Sequence, residues 1–278
     1  MSPLGIIAGG GDLPRAIAQS VLDTGRPVCV LALLGSTDDW VSHYPHEWVG
    51  IGEVGKANKF LRSQGCEELL LAGRLQRPKW SEIKVEAKFL LRLRRVIGAA
   101  LQGDDALLRF VVGMFEEDGF RVIGTAEAAP GLIAREGVFG RHRPSEQDQA
   151  DIALAFKVVR KLGELDVGQA AAVCDGLVLA VEAAEGTDRM IARIGDLPEH
   201  FRGTLKKPRG VLAKALKPVQ DRKTDLPVIG VQTVQNVAAA GLSGIAVEAG
   251  GALIVDRAAV VDAADEAGVF VIGVAPAK

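Results

Sequence analysis

Leu4-Gly5-Ile6-Ile7-Ala8-Gly9-Gly10-Gly11-Asp12-Leu13-Pro14 is the stretch that decides how the rest of the chain folds. Five apolar residues make a short buried strand. Three glycines then turn the chain, and a helical pattern runs from Leu13 to about Leu22, stopped by Gly25. Outward from this start the same alternation repeats. Val28–Leu33 is a second apolar strand, a helix spans about Lys56 to Ser63, and Glu68–Ala72 is a third strand. Two helical stretches follow, about Val85–Leu101 and Asp105–Glu117, and Phe120–Gly124 is read as a fourth strand. Near-continuous apolar strands separated by helices belong to a parallel sheet covered on both faces. Residues 1–130 are therefore expected to form a Rossmann-like parallel-sheet domain.

Residues 131–148, rich in glycine and with Arg141-His142-Arg143 together, read as a linker. Residues 149–278 predict a mixed α+β domain, so the whole chain is α/β. A helix is expected from about Gln149 to Leu162. Asp175-Gly176 between Gln169–Cys174 and Leu177–Val181 predicts a hairpin on a two-residue turn. Gly250-Gly251 between Gly244–Glu248 and Ala252–Val255 predicts another. Helices are expected near 187–194, 233–240 and 257–266, with a last strand at Val269–Val274.

Composition excludes several classes. Net charge is −2 and aromatics are 5%, so neither a global positive field nor a set of stacking platforms addresses nucleic acid. Cys29, Cys66 and Cys174 are odd in number and far apart, which argues against a disulfide scaffold and a thiolate zinc site. His43 and His46 form the one close histidine pair, but Pro45 between them breaks a shared helix face. The start of the chain lacks a basic segment before its apolar run, and no run reaches the roughly 18–20 residues of a spanning helix. The expected location is cytoplasmic.

Chemistry is expected at several places. Strand, glycine turn and helix start make a phosphate cradle at Gly10, Gly11, Asp12 and Leu13. Against the G-x-G-x-x-G fingerprint, Pro14 occupies the third glycine position, and no acidic residue ends the second strand, which counts against a nicotinamide cofactor. The plainer alternative is that the glycines only turn the chain. Gly73 and Arg74 after the third strand, Asp104 before a helix, and Thr125 after the fourth strand lie where open α/β sheets bind ligands. Asp104 also suits an N-cap.

In the second half, Glu182, Glu185 and Asp188 sit within seven residues, after a strand. They suit either a hard divalent cation or a capped turn before a helix at Thr187. Residues 201–225 hold eight basic side chains against Asp221 and Asp225, either a solvated face or an anion site. Gly210–Ala213 reads as a strand feeding Lys214 and Lys217. Asp225 precedes Leu226-Pro227, which favours an extended turn, and a carboxylate there among cations stays ionised. The basic amphipathic stretch 85–101 suits packing on its own sheet or contact with an anionic membrane.

The stretches Ile7–Pro14, Ala72-Gly73-Arg74, Gly103-Asp104-Asp105, Asp166-Val167-Gly168-Gln169, Val181–Asp188, Lys217–Asp221 and Asp225-Leu226-Pro227 occur in order along the chain. Together they resemble the LpxI-type UDP-2,3-diacylglucosamine pyrophosphatases of lipid A biosynthesis. That family usually has glycine where Val219 stands here. The resemblance implies hydrolysis of UDP-2,3-diacylglucosamine to UMP and 2,3-diacylglucosamine 1-phosphate (lipid X), with attack on the β-phosphorus. It implies a divalent cation, typically Mg²⁺, a homodimer, and peripheral contact with the inner membrane. It places Asp225 as the essential carboxylate; the reading of the residues adds Lys214 and Lys217 to offset phosphate charge. Asp225, Asp188 and Glu185 would serve the metal. Gly10, Gly11, Asp12, Leu13, Gly73, Arg74, Asp104, Thr125, Gln169, Thr187 and Asp188 would serve the substrate. The rivals are a nicotinamide-dependent oxidoreductase and a non-catalytic nucleotide- or lipid-binding regulator.

Overall fold

A computed structural model describes residues 1–74, 104–217 and 226–276. The chain divides into two compact units, Met1–Gly131 and Leu132–Lys278. The expected helix at 85–101 and the carboxylate Asp225 lie outside the described residues.

In the first unit, β1 (Leu4–Ala8), β2 (Val28–Leu33), β3 (His46–Val49), β4 (Glu68–Ala72) and β5 (Arg121–Val122) form one sheet in the order β3-β2-β1-β4-β5. Every pairing is parallel. Helices α1 (Leu13–Asp23), α2 (Val54–Ser63), α3 (Asp104–Glu117) and α4 (Thr125–Ala128) follow their strands. Both faces of the central strands are closed off: Leu4, Ile6, Leu31, Leu69 and Leu70 are fully buried. The order matters for function. The chain leaves β1 toward β2 and β3, then returns to place β4 on the other side of β1. The carboxyl end of β1 is thus a topological switch point, where open α/β sheets leave a crevice.

Two expectations for this unit are corrected. The fourth strand shrinks to Arg121–Val122, with Ile123 N–H still bonding the Leu69 carbonyl at 2.8 Å. The sheet also gains β3. Its His-Glu-Trp-Val sequence carries no apolar run, because it is an edge strand pairing on one side only, with β2. His43 closes a 3₁₀ turn at Asp39–His43 while His46 opens β3.

The second unit is mixed. Strands β6 (Gly137–Phe139), β7 (Ala170–Cys174), β8 (Leu177–Val181), β9 (Val211–Lys214), β11 (Gly244–Glu248) and β13 (Phe270–Val274) form a sheet in the order β6-β13-β11-β9-β7-β8. Here β10 (Val228–Ile229) and β12 (Leu253–Ile254) make a separate parallel pair. The centre, β13-β11-β9, is parallel, and β6, β7 and β8 run antiparallel to their neighbours. Helices α5 (Glu146–Glu164), α6 (Thr187–Ile194), α7 (Val231–Ala239) and α8 (Arg257–Ala267) complete it. Helix α5 starts at a capping box, in which the Ser145 hydroxyl accepts from Asp148 N–H at 3.1 Å and the Asp148 carboxylate accepts from Ser145 N–H at 2.9 Å.

The β7–β8 hairpin turns on Asp175 (φ 49°) and Gly176 (φ 79°), the two positive dihedrals of a type I′ turn. The expected second hairpin at 244–255 is not formed. Gly250 does turn the chain (φ 73°), but β12 leaves β11 and pairs with β10, while β11 is already flanked by β9 and β13. The expected linker contributes β6, which pairs antiparallel with β13. Its glycines mislead because Gly137 (φ 110°) opens a strand and Gly140 (φ 87°) ends it, rather than lying in coil. The cysteines are buried free thiols, Cys29 and Cys66 sharing a hydrogen bond of 3.0 Å. Among the described residues no helix is long and apolar enough to cross a membrane.

Candidate active site

Among the described residues, each unit brings several of its sequence-predicted residues to one rim of its own sheet. In the first unit the rim is the switch point. Gly9, Gly10 and Gly11 leave β1, and Gly73 and Arg74 leave β4 beside them. The two loops zip together: Gly10 N–H bonds the Arg74 carbonyl and Arg74 N–H bonds the Gly10 carbonyl, both at 2.9 Å. A Cβ on Gly73 (φ 93°) would stand 2.8 Å from Gly9 C and from Pro14 Cγ. So this glycine is required by close packing between loops, whatever else it does. Gly11 differs. Its φ is 91°, but a Cβ there would meet nothing nearer than the Arg74 guanidinium, 3.8 Å away. Asp12 is exposed at the N-cap of α1 without a side-chain cap bond, and Arg74 is exposed beside it. Thr125 is buried at the start of α4. Asp104 is the first residue of α3, at the limit of the described residues.

In the second unit the rim is set by register. Ala170 at the start of β7 pairs with Lys214 at the end of β9, and Ala171 pairs with Val181 at the end of β8. One edge of the sheet thereby collects Gln169, Glu182 and Lys214. Thr187, first residue of α6, returns to the same place. Glu182 and Lys214 are 6% and 5% exposed, so their charges must be satisfied internally. The Lys214 ammonium donates to Thr187 Oγ1 at 2.9 Å and to the Val228 carbonyl at 3.0 Å. The Thr187 hydroxyl donates to Glu182 Oε1 at 2.7 Å, and Glu182 Oε2 accepts from Gln169 N–H at 3.0 Å. Gly168 lets the loop reach this point, since a Cβ there would stand 2.1 Å from the Glu182 carbonyl oxygen. The side-chain oxygen of Gln169 is buried and finds no donor among the described residues.

Around this buried chain lie more exposed groups. Lys217 pairs with Asp166 at 2.8 Å, and Asp166 takes a left-handed backbone (φ 56°) after α5. Asp188 is exposed and accepts from the Asn236 side chain at 3.0 Å. Glu185 pairs with Arg193 at 3.1 Å; hydrogen bonds from backbone N–H groups and then from Arg193 hold its carboxyl below the usual range. Among the described residues no three histidine, cysteine, aspartate or glutamate side chains are grouped to hold a metal ion.

Sequence reasoning did not single out Val228 or Asn236, whose contacts have no local signal. It grouped Glu182 with Glu185 and Asp188 as either cation ligands or a capped turn. Glu182 instead faces inward, onto a main-chain N–H and a hydroxyl.

A parallel-sheet unit with a glycine rim at its switch point, joined to a mixed unit with a buried ammonium at its own rim, defines a two-unit α/β protein with a Rossmann-like first half. Residues 3–132 match the model of the LpxI N-terminal domain and residues 135–272 that of the LpxI C-terminal domain. The chain is also 48% identical over 276 residues to the UDP-2,3-diacylglucosamine pyrophosphatase LpxI of Caulobacter vibrioides, covering 99% of each. The chain belongs to the LpxI family.

Proposed function

We propose that this chain hydrolyses the pyrophosphate bond of UDP-2,3-diacylglucosamine, releasing UMP and 2,3-diacylglucosamine 1-phosphate, as a step of lipid A biosynthesis. The observation that carries this reading is the match to a pyrophosphatase of that substrate at 48% identity over 99% of both chains. Water adds to the phosphorus that bears the sugar, the P–O bond to the UMP oxygen breaks, and the water's proton leaves to solvent or base. The chemistry needs positioned charge more than a covalent partner.

Within this reading the first rim holds the nucleotide, through Gly10, Gly11, Asp12 and Leu13 beside Gly73 and Arg74, with Asp104 and Thr125 nearby. Gln169, whose buried oxygen lacks a donor among the described residues, suits a sugar hydroxyl or amide N–H. Thr187 and Asp188 line the second rim. Lys214 and Lys217 offset phosphate charge, and Asp225 is the carboxylate that prepares water.

A divalent cation, typically Mg²⁺, belongs to the proposal. Hard oxygen donors are the right chemistry for it. Asp188, exposed, and Asp225 fit that requirement, while Glu185 fits poorly because Arg193 already occupies it. When bound, such an ion would neutralise charge that builds on the diphosphate.

We also propose a homodimer in the cytoplasm that touches the anionic face of the inner membrane. Leu205, 75% exposed at a tight Thr204–Lys207 turn beside Lys206 and Lys207, supports the membrane contact. A monomer in sedimentation equilibrium would remove the first element. Protein left in the supernatant by phosphatidylglycerol vesicles would remove the second.

The deciding experiment is product analysis by mass spectrometry after incubation of the full chain with UDP-2,3-diacylglucosamine and Mg²⁺. UMP and lipid X are expected, with none formed when EDTA removes the cation. Asp225→Ala should lose at least about a hundredfold in kcat. Tight binding with intact substrate would instead identify a nucleotide- or lipid-binding regulator.

A further inference from the structure

We infer that Glu182 is a positioning residue: through the Thr187 hydroxyl it fixes Lys214, and through Lys214 it fixes the main chain that leaves the Asp225 segment. This rests on the proposed hydrolysis at the second rim, and assigns a role there to a carboxylate that would not touch the substrate.

The donors and acceptors of this series can pair in only one direction. An ionised carboxylate only accepts and an ammonium only donates. The hydroxyl between them, 2.7 Å from one and 2.9 Å from the other, can satisfy both in a single sense: it gives its proton to Glu182 and turns a lone pair to Lys214. The sense is locked at the far end, where the second Glu182 oxygen takes Gln169 N–H at 3.0 Å. Burial reinforces it, because neither charged end is more than 6% exposed.

The chain of bonds then continues beyond Lys214. Lys214 donates at 3.0 Å to the carbonyl of Val228, the first residue of β10 and three positions beyond Asp225. Pro227 in between allows little backbone freedom. Five separate pieces of the unit are therefore tied in series: the loop before β7, the end of β8, the start of α6, the end of β9 and the start of β10. A shift at Glu182 is thereby transmitted to the main chain at Val228.

Replacing the carboxylate by an amide, as in Glu182→Gln, makes the dependence testable. If the amide oxygen keeps Gln169 N–H, the amide NH₂ faces Thr187; the hydroxyl must then accept from it, and its proton loses its acceptor. If the amide turns over, its NH₂ faces Gln169 N–H, donor against donor. Each orientation breaks the series at one point, and in both the Thr187 hydroxyl no longer links the ammonium to a carboxylate.

The test uses the full chain with UDP-2,3-diacylglucosamine. Glu182→Gln and Thr187→Val should each lower kcat at least about tenfold, and in Glu182→Gln, whose side chain would not touch the substrate, KM should stay within about threefold, the split expected when orientation rather than binding is lost. Thr187→Ser keeps the hydroxyl and should recover kcat to within about threefold of the parent chain. Acetylation of Lys214 by acetic anhydride, read by mass spectrometry, gives an independent measure. It should be slow in the parent and in Thr187→Ser, and several-fold faster in Glu182→Gln and Thr187→Val.

Parent-like kcat with unchanged Lys214 labelling in both disrupting variants would overturn the inference. So would equal kcat losses in Thr187→Ser and Thr187→Val, since the effect would then follow side-chain bulk. Should Glu182→Gln not fold, the two Thr187 variants decide alone. Should the parent chain fail to turn over the substrate, the proposed function falls, and the labelling pattern by itself still supports or overturns the positioning role.

Discussion

The two rims are made of different material. At the switch point of the first unit the contacts are main chain to main chain: Gly10 and Arg74 exchange backbone bonds, and Gly73 leaves no room even for a methyl group. At the rim of the second unit the contacts run through side chains, from buried Glu182 through half-buried Thr187 to buried Lys214. The first arrangement is a shape, and its failure mode is steric. The second is a circuit of donors and acceptors, and its failure mode is an unpartnered polar group. A phosphate-binding loop needs backbone N–H groups and little else. A charged group held in the interior needs every partner in place.

That contrast can be broken most severely at Asp151. It is 1% exposed on α5, and its carboxylate takes the N–H groups of both turn residues, Asp175 at 2.9 Å and Gly176 at 2.8 Å. This is the same device as Glu182, a buried carboxylate on main-chain donors, used at the turn end of the β7–β8 hairpin. Asp151→Ala orphans two donors at once and should destabilise the second unit by about 3 kcal/mol. All three tryptophans, Trp40, Trp48 and Trp80, precede residue 131. A urea transition followed by far-ultraviolet circular dichroism should therefore gain an early phase that tryptophan fluorescence does not show. Coincident, unshifted transitions would mean that buried carboxylates are no more costly to remove here than surface ones.

The glycine rim should respond less, and in two distinguishable ways. Gly73→Ala meets both a positive φ and contacts of 2.8 Å, and should cost the first unit about 2 kcal/mol. Gly11→Ala meets only the positive φ, and should cost about 1 kcal/mol. If Gly11 serves a ligand, calorimetry with UMP should show a larger loss of affinity in Gly11→Ala than its stability loss would suggest. Unchanged UMP affinity would reduce the whole loop to packing.

How much of this is legible in the sequence depends on whether the cause is local. The Leu4–Pro14 stretch declares strand, turn and helix because each needs only its own residues, and Asp175-Gly176 declares its turn type for the same reason. Strand β3 does not declare itself. His46, Glu47 and Trp48 form a strand because Val30, Leu31 and Ala32 offer free bonding groups beside them. Strand β12 misleads because its neighbour is β10, not the strand just before it. The basic run 201–225 is visible, and so is the strand that presents Lys214. The partners are not: Gln169, Glu182, Thr187 and Val228 converge only once the antiparallel register of β7 with β8 and β9 is set. A carboxylate that directly follows an apolar strand reads as a loop residue until burial turns it inward.

The smallest expected effect concerns Glu68, where the first unit does use charge, at the opposite ends of its strands from the glycines. Glu68 opens β4, and its two oxygens receive Arg26 at 2.9 Å and Arg121 Nε at 2.8 Å. Burial pushes the Glu68 carboxyl up, but the hydrogen bonds and charges of Arg121 and Arg26 outweigh this and leave it below its ordinary value. A carboxyl whose value is lowered on folding adds stability above its unfolded value. That stability drains away as pH falls through the folded one. Below about pH 4.3, the ordinary glutamate value, the first unit should lose part of its resistance to urea. Glu68→Gln removes this contribution at every pH, so its fluorescence-detected midpoint should start lower near neutrality and converge on the parent's in acid. The ion pairs sit in contact with solvent, so the difference should also shrink with added salt. Parallel midpoint curves for the two chains down to about pH 3 would show that Glu68 is not charge-stabilised and that the first unit holds together by shape and apolar packing alone.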